Sequence, residues 1–235
     1  MRILMADDAP FDVQPGATVG EAEIDALYAS TDALLRLNFV ATLDGAANGP
    51  DGVSGSINSG ADHQGFAAMR RAADVLLVGA GTVRAEEYGP ARTPMVVVSR
   101  RAQRPESVRD KDGIVLATTR ASGAQEDERI WVCGEDTVDL AAVIERARAS
   151  FGPHVLCEGG PTLAAELVAT GLVDELGLSW TPHLVGGSRA AHPRILDGTD
   201  VQVDLTCRHL LEEDGTLLGL WRVASLTEQA RRSPR

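Results

Sequence analysis

Short apolar runs that alternate with helix-like segments constrain the fold of this 235-residue chain more than any other feature of its sequence. Early runs such as DVLLVGA and PMVVVSR are almost continuously apolar, as expected of strands that are buried on both faces of a sheet. Strands that alternate with helices predict a mainly parallel α/β sheet covered by helices on both faces. Strand candidates lie at residues 34–42, 74–80, 94–100, 113–119, 129–134, 154–159, 174–185, 205–213 and 217–223.

Three helices are predicted from the residues at their ends. The segment SGADHQGFAAMRRAA opens at Ser59 with Asp62 three residues later, which resembles a capping box. A second helix begins at Asp139, a residue type that accepts a hydrogen bond from a free N–H at a helix start. A third, PTLAAELVAT, has Pro161 at its first position and ends before Gly171, the usual asymmetry of helix ends.

The two ends of the chain differ from this alternating pattern. The last two strand candidates have no helix between them and meet around residues 212–215, so they predict an antiparallel hairpin at an edge of the sheet. Residues 1–33 are predicted to be an irregular lead-in with at most one short helix, in GEAEIDALYAS. One domain is expected over residues 34–224, followed by a polar tail over residues 225–235.

Composition and charge exclude several classes of protein. The formal net charge of −12 argues against a nucleic-acid surface, which needs a basic stripe to neutralise phosphates. The three cysteines are far apart and form no zinc-like cluster with histidine, so no metal site is expected. No apolar run approaches the length of a membrane span, and the N-terminus has no apolar core of a signal peptide. The sequence therefore predicts a cytoplasmic protein that binds a small molecule.

The segment HVLCEGGPTL combines a strand end, two glycines and a helix start. Glu158 is followed by Gly159, Gly160 and Pro161. The free N–H groups and the dipole of such a helix start attract anions, and glycines let a phosphate approach the backbone. An ordinary tight turn explains the glycines equally well. Glu158 is harder to explain in that way, because ligands bind beyond the carboxyl ends of parallel strands and a buried carboxylate requires a partner.

A second glycine-rich strand end, GAGTVR, occupies residues 79–84. It begins like a dinucleotide-binding fingerprint, but Arg84 stands where the third glycine is expected, so the match is weak. The sequence contains no P-loop motif. The Thr82 hydroxyl and the nearby arginine still suit a phosphate. Two such turns in one sheet indicate a phosphate-binding site more strongly than one turn does.

A long loop rich in glycine, serine and asparagine follows the first long strand, and such loops often carry ligand contacts. Asp44 at its start is either a turn residue or an organiser of the site. Arg70 and Arg71 end the first predicted helix, and a surface position is expected for one of them. Glu86 and Glu87, taken as a pair, fit a solvated face better than a site.

Three segments, in this order, resemble one family: NFVATLDG, RRAADVLLVGAGTVRAEEYGP and VLCEGGPTLAAELVATGLVDELGLSWTPHLVGG. They are similar to the reductase domain of riboflavin biosynthesis, the C-terminal half of the bifunctional pyrimidine deaminase/reductase, and most similar to stand-alone actinobacterial versions. The resemblance covers residues 34–224 and implies a dihydrofolate-reductase-like three-layer sandwich, NADPH as cofactor and a homodimer. The deaminase zinc motifs, His-x-Glu and Pro-Cys-x-x-Cys, are absent from the sequence, so only the reduction is expected.

The resemblance also implies which residues form the site. Glu86 stands where the family has an acidic residue near the nicotinamide, so it is the first candidate for supplying a proton, directly or through water, and Asp44 is the second. Ser56 replaces what is often a tryptophan. The implied cofactor contacts are Val40, Ser56, Thr82, Gly159, Gly160, Pro161, Thr162, Leu163, Ala164 and Glu166. The implied substrate contacts are Ser54, Arg70, Arg92 and Glu158.

The implied reaction reduces 5-amino-6-(5-phosphoribosylamino)uracil by hydride transfer to the anomeric carbon of its ring-opened imine, which gives a ribitylamino product. Reduction of dihydrofolate, a pteridine or another pyrimidine on the same fold is an alternative, because fold does not fix substrate. A non-catalytic NADPH-binding protein is a further alternative. A set of phosphate-binding arginines would favour the sugar phosphate, whereas an apolar pocket with one acid would favour a folate.

Overall fold

Ten strands form a single mixed sheet in the computed structural model, which describes residues 1–7, 9–89 and 92–224. The predicted tail at 225–235 lies outside the described residues. The strands are β1 (Arg2–Ala6), β2 (Leu34–Thr42), β3 (Val75–Gly79), β4 (Met95–Val98), β5 (Ile114–Thr118), β6 (Ile130–Val132), β7 (His154–Cys157), β8 (Glu175–Thr181), β9 (Leu205–Glu213) and β10 (Thr216–Val223). The helices are α1 (Glu21–Tyr28), α2 (Gly60–Arg71), α3 (Ala80–Ala85), α4 (Leu140–Phe151) and α5 (Pro161–Thr170). Short 3₁₀ turns occupy Ser54–Ile57, Glu106–Val108 and Arg120–Ser122.

The strand order across the sheet is β1-β9-β10-β8-β2-β7-β3-β4-β5-β6. Every pair from β8 to β6 is parallel, and β10, β9 and β1 continue the sheet antiparallel beyond β8. The predicted mixed, mainly parallel α/β sheet with antiparallel C-terminal strands is therefore confirmed. Two left-handed residues, Asp214 and Gly215, form the turn between β9 and β10, as a two-residue hairpin requires.

The expectation of an irregular lead-in is wrong at Arg2–Ala6, because this segment is the edge strand β1 and pairs with β9. The C-terminal hairpin is consequently one strand away from the edge rather than at it. Only Ile3 of the five β1 residues is classed as buried, so the segment lacks the continuous apolar run that marks the central strands. The short helix expected in GEAEIDALYAS is present as α1.

Helices cover both faces of the sheet, so the molecule has three layers. The core on one face joins α4 and α5 to inward-facing sheet residues such as Leu35, Leu37 and Leu77. The core on the other face joins α1, α2 and α3 to residues such as Leu76 and Leu156. Because side chains alternate along a strand, the even-numbered residues of β2 face α2. That face carries the candidate site.

The predicted helix ends are confirmed. The Ser59 side chain accepts a hydrogen bond from the Asp62 N–H, and Asp139 accepts one from Ala142 in the same way at the start of α4. Pro161 is the first residue of α5, and Gly171 ends that helix in the left-handed conformation. These local choices set where α2 and α5 begin, and both starts border the candidate site.

A buried ionic network connects β2, β8 and β9. Arg36 donates from Nε and Nη2 to Glu175 at 2.9 and 2.6 Å, and Arg208 donates to the other carboxylate oxygen. Burial disfavours the charged carboxylate, but the two guanidinium groups outweigh it and hold the pKa of Glu175 below its usual value. His209 lies beside this network with its ring perpendicular to that of Tyr28, at 4.9 Å between ring centroids.

The substitution His209→Phe is expected to flatten the pH dependence of folding. Burial, followed by the positive charges of Arg208 and Arg36, lowers the pKa of His209 from 6.5 to about 3. The folded histidine stays neutral where the unfolded one binds a proton, so the free energy of unfolding falls as the pH drops from about 6.5 toward 3. That loss should reach about 2 kcal/mol between pH 7 and pH 5.

Urea denaturation of both proteins at pH 7 and pH 5 measures this difference. Phenylalanine keeps an aromatic ring against Tyr28 but cannot titrate, so the variant should lose about 2 kcal/mol less than the wild type over this range. An equal loss in the two proteins would contradict the assignment of this pH dependence to His209.

Candidate functional site

A cavity of about 530 Å³ lies on the α2 face of the sheet, where β2, β7 and β3 approach their carboxyl ends. The loop after β2, the helix α2 and the segment after α3 form its other walls. Residues from both glycine-rich strand ends therefore meet in one space. The predicted site residues that line the cavity are Val40, Ser54, Arg70, Thr82, Glu86, Glu158, Gly160 and Pro161.

An ion pair between Arg70 and Glu158 forms one wall of the cavity. Arg70 donates from Nε to Oε1 and from Nη2 to Oε2 of Glu158, each at 2.6 Å. Tyr88 donates its hydroxyl to Oε2 at 2.8 Å, and the ring of Phe66 lies 4.3 Å from the guanidinium carbon. The buried carboxylate at the end of β7 thus has the partner that its position requires.

The ion pair changes the titration of its members and limits what Arg70 can bind. Burial disfavours the arginine cation, but the hydrogen bonds and charge of Glu158 outweigh it, so the pKa of Arg70 is raised. Burial and then the Glu158 charge raise the pKa of Tyr88, which keeps its hydroxyl as a donor. The guanidinium fork of Arg70, a predicted substrate contact, is occupied by Glu158, so a ligand meets only the remaining N–H groups.

The two glycine-rich turns touch each other. Gly79 donates its N–H to the Gly159 carbonyl at 2.8 Å, and the peptide between Gly159 and Gly160 is cis. A Cβ on Gly160 would lie 2.6 Å from Oγ1 of Thr82, and one on Gly159 would lie 3.1 Å from the Phe39 ring. The contact at Gly160 and the left-handed backbone of Gly159 at φ 91° therefore favour glycine at both positions, beyond the needs of an ordinary turn.

The first turn of α5 presents backbone rather than side chains. The N–H groups of Thr162 and Leu163 have no partner within the helix, because the first helical hydrogen bond runs from Ala164 to the Gly160 carbonyl. The side chains of Leu163 and Ala164 are buried in the core, and Glu166 is exposed. Leu163 and Ala164 can therefore contact a cofactor only through their backbone. Glu166, the third expected contact, does not line the cavity.

Glu86 ends α3 and faces the loop that follows β2. Its Oε1 accepts a hydrogen bond from the Ser54 N–H at 2.7 Å, and both residues line the cavity. Glu87 lines the cavity as well, with a left-handed backbone at φ 48°. The pair thus borders the site rather than forming a remote solvated face, and one hydrogen bond fixes the loop to the end of α3.

Three further predicted residues, outside the first turn of α5, do not line the cavity. Asp44 is exposed and accepts hydrogen bonds from the Thr42 hydroxyl and from the Gly186 N–H, which lower its pKa to about 2, so it fixes a loop and makes a poor proton donor. The Ser56 hydroxyl donates to Asp51 at 2.6 Å, within its own loop. Arg92 is exposed, and neither it nor Ser56 is among the residues that line the cavity in the described part of the chain.

Sequence reasoning assigned no role in the site to several lining residues. Asp62 and Phe66 line the cavity and precede the predicted residue Arg70 at intervals of four along α2. That spacing places them on the same face of the helix as Arg70, so the periodicity could have revealed them. Asn38 and Tyr88 also line the cavity, and no motif distinguishes either residue.

The comparisons with known proteins agree with this geometry. The family model described as the RibD C-terminal domain matches residues 33–217, so the chain belongs to this family of reductases. A 2,5-diamino-6-ribosylamino-4(3H)-pyrimidinone 5′-phosphate reductase of Methanothermobacter thermautotrophicus is 29% identical over 187 residues, 70% of this chain and 84% of that protein. The protein of the same name from Archaeoglobus fulgidus is 26% identical over 188 residues, 69% of this chain and 85% of its own.

Solved structures support the fold. A pyrimidine reductase-like protein of Corynebacterium diphtheriae superposes with a TM-score of 0.70 at 19% identity, over 82% of this chain and 92% of that one. Dihydrofolate reductase from Enterococcus faecalis, solved with NADP(H), gives a TM-score of 0.50 at 10% identity, over 83% and 98%. The predicted dihydrofolate-reductase-like architecture is therefore confirmed. Within the described residues, no helix has the length and apolarity to span a membrane, and no group of ligating side chains could hold a metal ion.

The adjacent arginines that end α2 allow a matched test of the ion pair. Arg70→Ala is expected to lower the free energy of unfolding by about 3 kcal/mol, because it leaves the buried Glu158 carboxylate without its cation. Arg71 pairs with Asp25 at the surface, and Arg71→Ala should cost less than about 1 kcal/mol. Chemical denaturation of both variants measures the difference, and similar losses would contradict a structural role for the Arg70 pair.

Proposed function

We propose that this reductase uses NADPH to reduce a 5-amino-6-(5-phosphoribosylamino)pyrimidine to its ribitylamino product in riboflavin biosynthesis. The sequence resemblance implies the uracil form of that substrate, and the names of the two archaeal relatives carry the 2,5-diamino form. The observation that supports the proposal is one cavity shared by the Gly160–Thr82 contact, the Glu86 carboxylate and the Arg70–Glu158 pair.

The residues present fit a dinucleotide. The free N–H groups of Thr162 and Leu163 and the hydroxyl of Thr82 lie around Gly160, where a side chain would leave no room. In the proposal these groups hold the phosphates, while Val40 lines the cavity on β2. NADPH, when bound, supplies the hydride for the reduction. The choice of NADPH over NADH and the contact assigned to Ser56 rest on the family resemblance.

The other residues of the cavity position the substrate and handle its proton. Ser54 and the remaining N–H groups of Arg70 face the cavity and would hold the ribose phosphate, with Arg92 as an outer contact. Hydride addition to the imine carbon leaves the nitrogen in need of one proton. Glu86 is the proposed source of that proton, directly or through water, because it lines the cavity and is fixed by the Ser54 N–H. Asp44 has no part in this proposal.

One observation favours the folate or pteridine alternative. Arg70 is the one arginine among the described residues that line the cavity, and Glu158 already binds its fork. A buried acid, Asp62, lines the same cavity. A cavity with one acid and without several phosphate-binding arginines is the pattern expected for binding a pterin ring. Dihydrofolate should therefore be tested beside the pyrimidines in every activity assay.

NADPH oxidation by the purified chain tests the proposed function. We expect turnover with the ribosylaminopyrimidine phosphate and none with dihydrofolate. Turnover of dihydrofolate alone would contradict the proposed substrate and would agree with NADPH as the cofactor. Tight NADPH binding with no turnover of either compound would favour the non-catalytic alternative. The homodimer is a further proposal from the resemblance, and light scattering that gives the mass of one chain would contradict it.

Glu86→Gln tests the proposed proton source. A lost general acid typically lowers a rate by about 10²- to 10⁴-fold, and we expect this loss in kcat with the dissociation constant of NADPH unchanged. Glu87→Gln, one residue further along the same cavity wall, is the matched control and should change kcat little. If both variants retain kcat, or both lose it equally, the role assigned to Glu86 is wrong.

A further inference from the structure

Asp62 is a buried carboxyl group on the cavity wall that the proposed reaction does not use. It lies in the first turn of α2, is 4% exposed and lines the cavity. The hydroxyl of Ser179 on β8 neighbours it and opposes the rise in its pKa that burial causes. A hydroxyl can donate only one hydrogen bond, whereas a carboxylate accepts several. A buried carboxylate with spare acceptors beside a cavity is suited to a ligand that brings donors.

The position of Asp62 separates it from the part of the cavity proposed for the cofactor. The glycine-rich turns follow β7 and β3, whereas Ser179 belongs to β8, on the other side of β2 in the sheet. On β2, Val40 is aligned with Ser179 and Asn38 with Gly177. Both β2 residues line the cavity between the two ends. Asp62 therefore borders the end beyond β2, away from Gly160.

Burial of Asp62 favours its neutral form, whereas several of its neighbours favour its ionised form. Burial raises its pKa, while the Ser179 hydroxyl and then the neighbouring His63 oppose that rise. The amino-terminal end of α2 also favours a negative charge in its first turn. Tyr28 of α1 stays protonated, since burial, and to a smaller extent the Asp62 charge, raises its pKa. Burial outweighs these effects and leaves the pKa of Asp62 raised, and a ligand that donates two hydrogen bonds favours the ionised form, which accepts both.

Asn38 adds a second polar group to this end of the cavity. It is 8% exposed and lines the cavity, and its Oδ1 has no hydrogen-bond partner among the described residues. A buried amide oxygen left without a partner costs free energy, so a ligand that donates to it is favoured. The two amide atoms can exchange places by rotation, so Asn38 can serve as donor or acceptor.

We propose that Asp62 binds the ring edge of the substrate through a ring N–H and an adjacent exocyclic amino group, so that this enzyme prefers a 2-amino-4-pyrimidinone to the corresponding uracil. The inference rests on the proposed function and specifies its substrate. In the 2-amino compound, the N3–H and the C2 amino group form two adjacent donors that match the two carboxylate oxygens. In the uracil, a carbonyl oxygen replaces that amino group and would face a carboxylate oxygen, which is repulsive.

Steady-state kinetics with two substrates tests the preference. The full chain is assayed with NADPH and either 2,5-diamino-6-ribosylamino-4(3H)-pyrimidinone 5′-phosphate or its uracil counterpart. We expect kcat/KM for the 2-amino compound to be higher by roughly 10- to 100-fold, the range that corresponds to a charged hydrogen bond. Asp62→Asn should reduce that ratio toward one while the dissociation constant of NADPH is unchanged. Asp25→Asn, which removes an exposed carboxylate on α1, should leave the ratio as it is in the wild type.

A purely structural role of Asp62 would lower activity with both substrates equally and leave their ratio unchanged, and that result would overturn the inference. A wild-type ratio near one would overturn it as well. Because turnover also depends on the proposed function, calorimetry with 2,6-diamino-4-pyrimidinone and 6-aminouracil, which carry no sugar phosphate, tests recognition alone. Tighter binding of the 2-amino base, lost in Asp62→Asn, supports the inference even if no turnover is seen. Equal binding of the two bases contradicts it even if the reduction is confirmed.

Discussion

The Arg70–Glu158 ion pair is the interaction on which the rest of the site depends. Glu158 lies at the end of β7, and its side chain is 2% exposed, so a carboxylate there is tolerated only with a cation and hydrogen-bond donors around it. Arg70 supplies the cation from the last turn of α2, and Tyr88 adds a donor from the segment after α3. A single carboxylate therefore connects three walls of the cavity.

The central part of the fold could be predicted from the sequence because its strands are buried on both faces. β2 was predicted over its full observed length, and the helix starts at Ser59, Asp139 and Pro161 follow local capping chemistry. The edge strand β1 was missed because it is held by pairing with β9 rather than by an apolar run of its own. Local patterns do not encode a pairing between segments that are some two hundred residues apart.

The candidate site was predictable where its residues follow strand ends, and less so elsewhere. Glu158, Gly160 and Thr82 meet because the carboxyl ends of neighbouring parallel strands share one edge of the sheet. Ser56 bonds within its own loop and Asp44 bonds to the loop that contains Gly186, and no motif shows which way such side chains turn. The proton, cofactor and substrate roles carried over from the family remain predictions at each of these positions.

The stripe of Asp62, Phe66 and Arg70 along α2 has a consequence for ligand size. Eight residues of helix separate the first of these side chains from the last, a distance of about 12 Å along the axis. The polar groups at the two ends of the cavity wall are thus held apart by a rigid element rather than by a loop. A molecule that engages both must span that interval, so the helix would select ligands by their length as well. One inserted residue between them would turn one group by about 100° around the axis and remove that match.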